Sequence, residues 1–343
     1  MNLAYKNEKP LFVILFTISL VCWIGAALVT KGAIFLALPV VFFIYLFVQS
    51  GMICHFKGTG ALISTDQFPD LDEQVKKCAG KLGLKKTPTA YLMNGDGLLN
   101  AFATQFLRRH FIVLLSDIAD ALEDNPDALN FYIGHELGHI QKKHLLWSVF
   151  LTPASVLPLL GAAYSRAREY TCDLHGAHCC ETPASAQQAL AALGVGARRW
   201  RSVNLAKYSQ QAANTREFWM SFHELISSYP WLTKRLARLT TDPANKRIPR
   251  RNMFAYLPAI LVPRLSFATL VVLYVAGVMA AITLPSENAN FEDLQMPSPI
   301  PSETYDAMPS PQPDAQPDMQ PDMPTDMPPD VQPSETPPQQ PAP

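Results

Sequence analysis

The last 59 residues of the chain contain no lysine or arginine. They hold 11 acidic residues and 17 of the 30 prolines, with few large apolar side chains. Such a segment cannot bury enough apolar surface to offset the entropy of folding, so residues 285–343 are predicted to be a disordered tail. The first 284 residues carry 28 basic and 18 acidic residues, a net charge of +10. This contrast in charge between the two parts of the chain excludes a uniform soluble globule.

Charge is absent from three long apolar runs, residues 11–29, 32–50 and 265–284. At 1.5 Å per residue, runs of 19, 19 and 20 residues each cover about the 30 Å of a bilayer core. They predict three transmembrane helices, of which the first two form an N-terminal hairpin, residues 1–54. A cleaved signal peptide is the weaker interpretation, because the first run is long and a second follows at once.

If the three runs cross a membrane, most basic residues near their ends fall on the same side of it. Lys6 and Lys9 precede the first run, Lys57 follows the second and several arginines precede the third. The other side of the membrane has only Lys31, between the first two runs. By the positive-inside rule, residues 55–264 are predicted to form a cytoplasmic domain. The protein is then a multi-pass protein of the cell (inner) membrane, with its tail on the opposite side.

The motif HELGH, from His135 to His139, carries the clearest chemical signal. Residues four apart share one face of an α-helix, so both imidazoles suit adjacent corners of a tetrahedral zinc site. Glu136 then lies beside the metal, where it can take a proton from the attacking water. Because H-E-x-x-H arises by chance in about one chain in a hundred of this length, a third ligand is needed to support the assignment.

Glu169, 30 residues after His139, is the candidate third ligand, because two histidines and one glutamate leave a fourth position open for water. Asp173, one turn later, can orient a ligand imidazole by accepting a hydrogen bond from its outer nitrogen. The competing interpretation pairs both acids with Arg166 and Arg168 on a solvated helix face. The residues alone leave both interpretations open.

Three motifs are similar to those of one known family: LNAFAT at 99–104, HELGH at 135–139 and SRAREYTCD at 165–173. Over roughly residues 76–239 the chain resembles the membrane zinc metalloproteases that include HtpX and the CaaX prenyl endopeptidases. The resemblance implies an α+β fold, a mainly helical zincin-like domain with a small edge-exposed sheet, anchored here by the three predicted transmembrane helices.

The resemblance also implies roles for particular residues. His135, His139 and Glu169 would bind one Zn²⁺, and Glu136 would be the general base. An extended polypeptide substrate would lie along an edge strand, since such a strand offers unpaired backbone groups. The residues of this strand are Asn100, Ala101, Phe102 and Ala103.

The chain departs from the family pattern downstream of these motifs. The family usually carries a His-Pro pair followed by an arginine; here Pro230 and Arg235 align, but Tyr229 stands in place of the histidine. Arg235 is expected to take a catalytic role. We expect Tyr229 to donate a neutral hydrogen bond to the developing oxyanion, with His223 as the second candidate for this role.

Residues 145–164 form a fourth apolar stretch, at a position where HtpX-like proteins often have true spans. One crossing here would separate His139 from Glu169, and two crossings would need about 40 apolar residues. Pro153 and Pro158 also interrupt a straight helix. The segment is therefore expected to be buried in the catalytic domain or to be re-entrant.

The other histidines and the six cysteines show no second site. The cysteines lack the repeated spacing of small disulfide-linked domains and are expected to be reduced. The cysteine- and histidine-rich stretch 172–180 follows no zinc-binding spacing. His144 lies five residues after His139, about 140° round a continuous helix, and is expected to point away from the metal.

Taken together, the sequence predicts a zinc-dependent endopeptidase that cleaves membrane or membrane-proximal proteins, with a role in membrane protein quality control. Its predicted partners are a polypeptide substrate and the lipid bilayer; no motif for nucleic acids accompanies the basic residues. The alternative is a catalytically silent scaffold that binds client polypeptides through the edge strand and the tail. A non-proteolytic zinc hydrolase is a third possibility. The sequence carries no signal of oligomeric state.

Overall fold

Two long apolar helices begin the chain in the computed structural model, α1 (Glu8–Val29) and α2 (Ile34–Thr59). The structure describes residues 3–95, 100–107, 109–242, 246, 248–264, 274 and 277–278. Within these residues, α1 and α2 are the helices long and apolar enough to cross a membrane. Only 11% and 6% of their most apolar windows are buried, unlike the core helix of a soluble protein.

The predicted spans 11–29 and 32–50 fall within α1 and α2. Lys31 and Gly32 turn the chain between them with positive φ angles of 48° and 85°. Of the predicted third span, 265–284, only residues 274, 277 and 278 are described, and these are helical. The rest of that span and the predicted tail, 285–343, lie outside the described residues.

A small mixed sheet follows α2. Its strands are β1 (Ala61–Leu62), β2 (Thr89–Met93), β3 (Ala101–Phe106) and β4 (Arg109–Leu115), in the order β1-β2-β4-β3. β4 is parallel to β2 and antiparallel to β3, so β3 is an edge strand. Helix α3 (Pro69–Lys81) lies between β1 and β2 in the chain.

The side chains of β4 alternate between two apolar layers, as strand geometry requires. Ile112 and Leu114 point into the main core, which contains α3 and the central helices. Phe111 and Val113 point the other way, against the last turns of α2, where Phe56 is 1% exposed. The sheet is therefore held between α2 and the helical core.

Helices form most of the remaining structure. In chain order they are α4 (Ser116–Ala121), α5 (Pro126–Gln141), α6 (His144–Phe150), α7 (Thr152–Ser155), α8 (Leu160–Cys179), α9 (Pro183–Val195), α10 (Leu205–Gln210), α11 (Phe218–Ile226), α12 (Leu232–Leu239) and α13 (Tyr256–Ala259). Short 3₁₀ helices span Arg199–Ser202, Gln211–Arg216 and Met253–Ala255.

Helices α5 and α8 cross at unusually close range because glycines stand at the crossing. A Cβ atom on Gly134 would lie 2.6 Å from Sγ of Cys179, and one on Gly176 would lie 2.5 Å from the carbonyl oxygen of Phe131. α5 begins with Asn125 as its N-cap, whose side chain accepts a hydrogen bond from the Ala128 amide at 3.1 Å. The crossing brings the polar residues of α8 within reach of the HELGH motif.

The apolar stretch 145–164 is not one continuous helix. It forms α6, α7 and the first residues of α8, with Leu159 at a φ of 62° between α7 and α8. α6 and α7 pack along α1: Trp23 Nε1 donates to the Phe150 carbonyl at 3.0 Å, and Ser19 Oγ accepts from the Ala154 amide at 3.3 Å. The segment therefore runs beside the first long helix.

Candidate metal and catalytic site

Two helices bring three potential metal ligands together. His135 and His139 lie on one face of α5, as their spacing predicts, and Glu169 faces them from α8. Nε2 of His135 lies 3.4 Å from Oε2 of Glu169, and Nε2 of His139 lies 3.8 Å from Oε1 of the same carboxylate. Each imidazole thus faces a different oxygen of the Glu169 carboxylate at the crossing of α5 and α8.

These separations suit a tetrahedral metal ion. Two nitrogen or oxygen donors bound to one zinc ion at about 2.0–2.1 Å stand about 3.3 Å apart. The observed distances of 3.4 and 3.8 Å are close to that value. Two imidazoles and one carboxylate are also the donor set of many catalytic zinc sites, so the residues present fit the ion.

The charges around the site favour a bound cation. Burial would lower the pKa of His135, but hydrogen bonds with Asp173 and Glu169 and the charges of these carboxylates raise that pKa to about 10. Burial would raise the pKa of Glu169, but the hydrogen bond with His135 and nearby positive charges lower it to about 2. Burial and the charge of His135 hold the pKa of His139 well below its usual value.

Asp173 and Arg235 support the outer side of His135. Nδ1 of His135 lies 3.1 Å from Oδ1 of Asp173, which fixes the orientation of the imidazole. Arg235 donates to the same carboxylate twice, from Nε to Oδ2 at 2.9 Å and from Nη2 to Oδ1 at 2.6 Å. Arg235 is thus linked to His135 through Asp173, and its expected catalytic role stays a prediction.

Glu136 lies between the metal ligands and the sheet. Its carboxylate accepts a hydrogen bond from the backbone N–H of Ala103 on β3. Burial raises the pKa of Glu136 to about 7, and the negative charge of Glu169 acts in the same direction, although His135 and the Ala103 amide oppose it. A carboxylate with a pKa near neutrality is suited to take up and release a proton.

The edge strand β3 presents part of its backbone beside Glu136. Asn100 accepts a hydrogen bond from the Leu115 amide at 3.2 Å, and Ala103 stands opposite Ile112. In an antiparallel pair the hydrogen-bonding direction alternates, so Phe102 pairs with β4 while Ala101 and Ala103 direct their amides and carbonyls outward. Two of the four predicted substrate-binding residues thus offer an outward carbonyl, while their amides donate to Asn100 Oδ1 at 2.9 Å and to Glu136.

Tyr229 and His223 differ in their surroundings. Tyr229, between α11 and α12, is 64% exposed, and the charge of Glu169, together with burial of part of the ring and the charge of Glu136, raises its pKa. Tyr229 therefore lies within electrostatic range of both carboxylates. His223 is exposed on α11, where its ring packs edge-on against Phe222 at 5.2 Å between centroids.

Cys172 is a second candidate for the third ligand. One ligand atom each from His135, His139 and Cys172 lie within 4.8 Å of one another. Burial and four nearby carboxylates raise the pKa of the Cys172 thiol well above its usual value, so a metal would have to displace its proton to bind the thiolate. The ionised Glu169 is the better donor. In the described part of the chain, the stretch 172–180 contributes no other residue to a group of potential metal ligands.

His144 contacts His139, although the angle of a continuous helix would turn the two side chains apart. α5 ends at Gln141 and Lys143 adopts a left-handed conformation with a φ of 56°, so the angle of a continuous helix does not apply. Nδ1 of His144 instead lies 3.1 Å from Nδ1 of His139. Sequence reasoning missed this contact and also Glu8, which reaches His144 from α1.

Comparison with known proteins adds one finding. The family model described as peptidase family M48 matches residues 65–157 and 147–242. These matches cover more than half of the chain and include the edge strand, both helices of the site and Arg235. No curated protein and no solved structure matched the chain.

Proposed function

The chain belongs to peptidase family M48, a family of metallopeptidases, and on that premise we propose that it is a membrane-bound zinc endopeptidase. The observation that carries the proposal is the convergence of His135, His139 and Glu169, with Glu136 beside them and joined to β3. This arrangement combines a metal site, a base of suitable pKa and a strand that can align a peptide.

Each residue of the site has a chemical role in peptide hydrolysis. Bound zinc would supply a Lewis acid that polarises the scissile carbonyl and lowers the pKa of water. Glu136 takes the proton of the attacking water and later delivers it to the leaving amine. Tyr229 donates a hydrogen bond to the oxyanion, while Arg235 and Asp173 hold His135 in the orientation that exposes Nε2.

The substrate is proposed to bind as an additional strand. Ala101 and Ala103 offer their outward carbonyls to an extended chain, because their amides already donate to Asn100 Oδ1 and to Glu136. A chain bound along this edge has a peptide bond next to Glu136. Recognition through backbone groups gives affinity with little sequence selectivity. We infer that unfolded segments are cleaved in preference to folded ones.

The membrane arrangement is part of the proposal. Three spans would anchor a cytoplasmic domain, 55–264, to the cell membrane, with 285–343 on the opposite side. Support comes from the exposure of α1 and α2 and from the packing of α6 and α7 along α1. Trp23, which contacts Phe150, lies about 22 Å along α1 from Glu8, so 145–164 would be re-entrant. Membrane-proximal proteins, including damaged ones, would then be the accessible substrates.

The test is cleavage of casein by the purified full-length chain in detergent with one equivalent of zinc. Glu136→Gln should bind zinc normally and lose activity by several orders of magnitude, because it cannot accept the proton. Glu123→Gln, an exposed neighbour upstream of α5, is the matched control and should retain full activity. Zinc binding with no cleavage by the unaltered chain would reject the endopeptidase and favour the client-binding scaffold.

A further inference from the structure

His144 connects a metal ligand to the first long helix. Its Nδ1 lies 3.1 Å from Nδ1 of His139, and its Nε2 lies 2.9 Å from Oε1 of Glu8, the first residue of α1. His144 is 2% exposed and Glu8 is 9% exposed, so both contacts are shielded from water. A buried chain of hydrogen bonds thus runs from α1 to the proposed metal site.

Glu8 is itself held in place by α8 and by the N-terminal segment. Thr171 Oγ1 donates to Oε2 of Glu8, and the Tyr5 amide donates to Thr171 Oγ1 at 2.9 Å. The Tyr5 ring packs against Tyr170 at 5.1 Å between centroids, and the Arg238 guanidinium lies over both rings. These contacts give the Glu8 carboxylate one defined position although it stands at the end of a long helix.

Donor and acceptor roles along the hydrogen bonds from Glu8 to His144 and His139 specify one tautomer for each histidine. A carboxylate only accepts, so His144 carries its hydrogen on Nε2 and has a lone pair on Nδ1. Its neighbour His139 must then donate from Nδ1, which leaves Nε2 of His139 with the lone pair that faces Glu169. Sγ of Cys172, 3.7 Å from Nδ1 of His144, is a second donor to the same acceptor.

We propose that Glu8 and His144 are positioning residues for the metal ligand His139. Asp173 and Arg235 have the corresponding position at the other ligand, His135. The difference is that the Asp173 carboxylate contacts His135 directly, whereas the Glu8 carboxylate contacts His139 through the His144 imidazole. The reverse tautomer would place the hydrogen of His139 on Nε2 and block metal binding. The first residue of α1 is therefore a component of the metal centre, in addition to any role of α1 as an anchor. This inference rests on the proposed function insofar as His139 binds zinc.

The test measures zinc affinity of the full-length chain in detergent by competition with a chromogenic chelator. Glu8→Ala and His144→Ala should each weaken zinc binding about 10- to 100-fold, as the loss of outer-shell partners typically does. The double variant should bind zinc no more weakly than His144→Ala, because the effect of Glu8 passes through His144. In Glu8→Ala and in His144→Ala the absorption spectrum of bound Co²⁺ should shift, since the His139 ring is released from its fixed orientation.

Two variants on α1 serve as controls. Lys9→Ala alters the exposed neighbour of Glu8 and should leave zinc affinity unchanged. Leu15→Ala removes a buried packing contact with α6–α8 and should lower thermal stability without changing zinc affinity of the folded fraction. If Glu8→Ala does not fold, Glu8→Gln retains the shape and one acceptor oxygen, and it should still bind zinc several-fold more weakly than the unaltered chain.

The outcomes separate this inference from the proposed activity. The positioning role of Glu8 is overturned if Glu8→Ala or Glu8→Gln binds zinc with unaltered affinity. It is also overturned if the loss of affinity in the double variant equals the product of the losses in the two single variants. If the unaltered chain binds zinc and does not cleave casein, the endopeptidase proposal fails. Weaker zinc binding by the Glu8 and His144 variants then still supports their role in positioning His139. If casein is cleaved and these variants bind zinc like the unaltered chain, only the positioning role is rejected.

Discussion

Glu136 accepts a hydrogen bond from the backbone N–H of Ala103, so the proposed general base and the edge strand are in direct contact. Ala103 stands on β3 at a position whose amide points away from β4. The contact sets the distance between the strand on which a substrate would lie and the carboxylate that would act on it. It also provides an N–H that stabilises the ionised form of Glu136.

Removing this N–H should impair catalysis with little effect on folding. Ala103→Pro lacks the amide hydrogen, but the ladder between β3 and β4 keeps its hydrogen bonds because this amide does not take part. A hydrogen bond to a charged group is worth about 1.5–3 kcal/mol, so kcat/KM should fall about 10- to 100-fold. Gln105→Pro, two residues along the same outward-facing edge, is the control and should retain most activity. Equal losses in the two variants would argue against a special role of Ala103.

The third metal ligand can be identified by two substitutions on α8. Glu169→Ala should reduce zinc affinity by more than 100-fold, because the ionised carboxylate leaves the donor set. Cys172→Ala should bind zinc with unchanged affinity, because a metal must displace the proton of this thiol, whereas Glu169 is already ionised. Zinc titration of the metal-free chain measures both affinities. The reverse result would assign the site to His135, His139 and Cys172.

Arg235→Lys should be costly although it conserves the charge. Lysine cannot make the two parallel hydrogen bonds that the guanidinium donates to Asp173, and one carboxylate oxygen then loses its partner in a buried site. We expect zinc affinity to fall about 10-fold and the melting temperature to decrease. Arg201→Lys changes a similar pair with Asp124 on the surface and should be neutral in both measurements. An unaltered zinc affinity in Arg235→Lys would limit Arg235 to a structural role.

A buried charge cluster should make stability depend on pH. Glu224 is 0% exposed; it accepts hydrogen bonds from Arg251 at 2.9 and 3.1 Å and from Lys234. Burial would raise the pKa of Glu224, but Arg251 and Lys234 lower it below its usual value. The stabilisation is therefore present above the pKa of an unfolded glutamate, about 4.3, and is lost as pH falls through the lower pKa of the folded state.

Glu224→Gln should lower the free energy of unfolding at pH 7 by about 3–5 kcal/mol, because it leaves buried cations without a counter-charge. Urea unfolding followed by tryptophan fluorescence measures this difference, which should shrink as the pH is lowered below about 4. Glu217→Gln, an exposed carboxylate next to α11, is the control and should change stability by less than about 0.5 kcal/mol. A difference that stays constant down to acid pH would contradict the ion-pair explanation.

Local patterns in the sequence determined the parts of the site that depend on one element. Helical periodicity places His135 and His139 on the same face of α5, because residues four apart are adjacent in any α-helix. Likewise, uncharged runs of about 19 residues predicted two long apolar helices, which the structure contains at 8–29 and 34–59. The residues alone made Glu169 and Asp173 candidates but left a solvated helix face as the alternative. The family resemblance favoured the metal site and added the substrate role of the edge strand.

Tertiary structure alone decided how these elements meet. Glu169 reaches the histidines because glycines let α5 and α8 cross closely, and Glu136 meets Ala103 because β3 lies at the edge of the sheet. The geometry of a continuous helix did not predict the contact between His144 and His139, because α5 ends at Gln141 and Lys143 has a positive φ. Glu8 contacts a histidine 136 residues away, a separation at which pairing depends on the packing of the whole fold and leaves no periodic signal in the sequence.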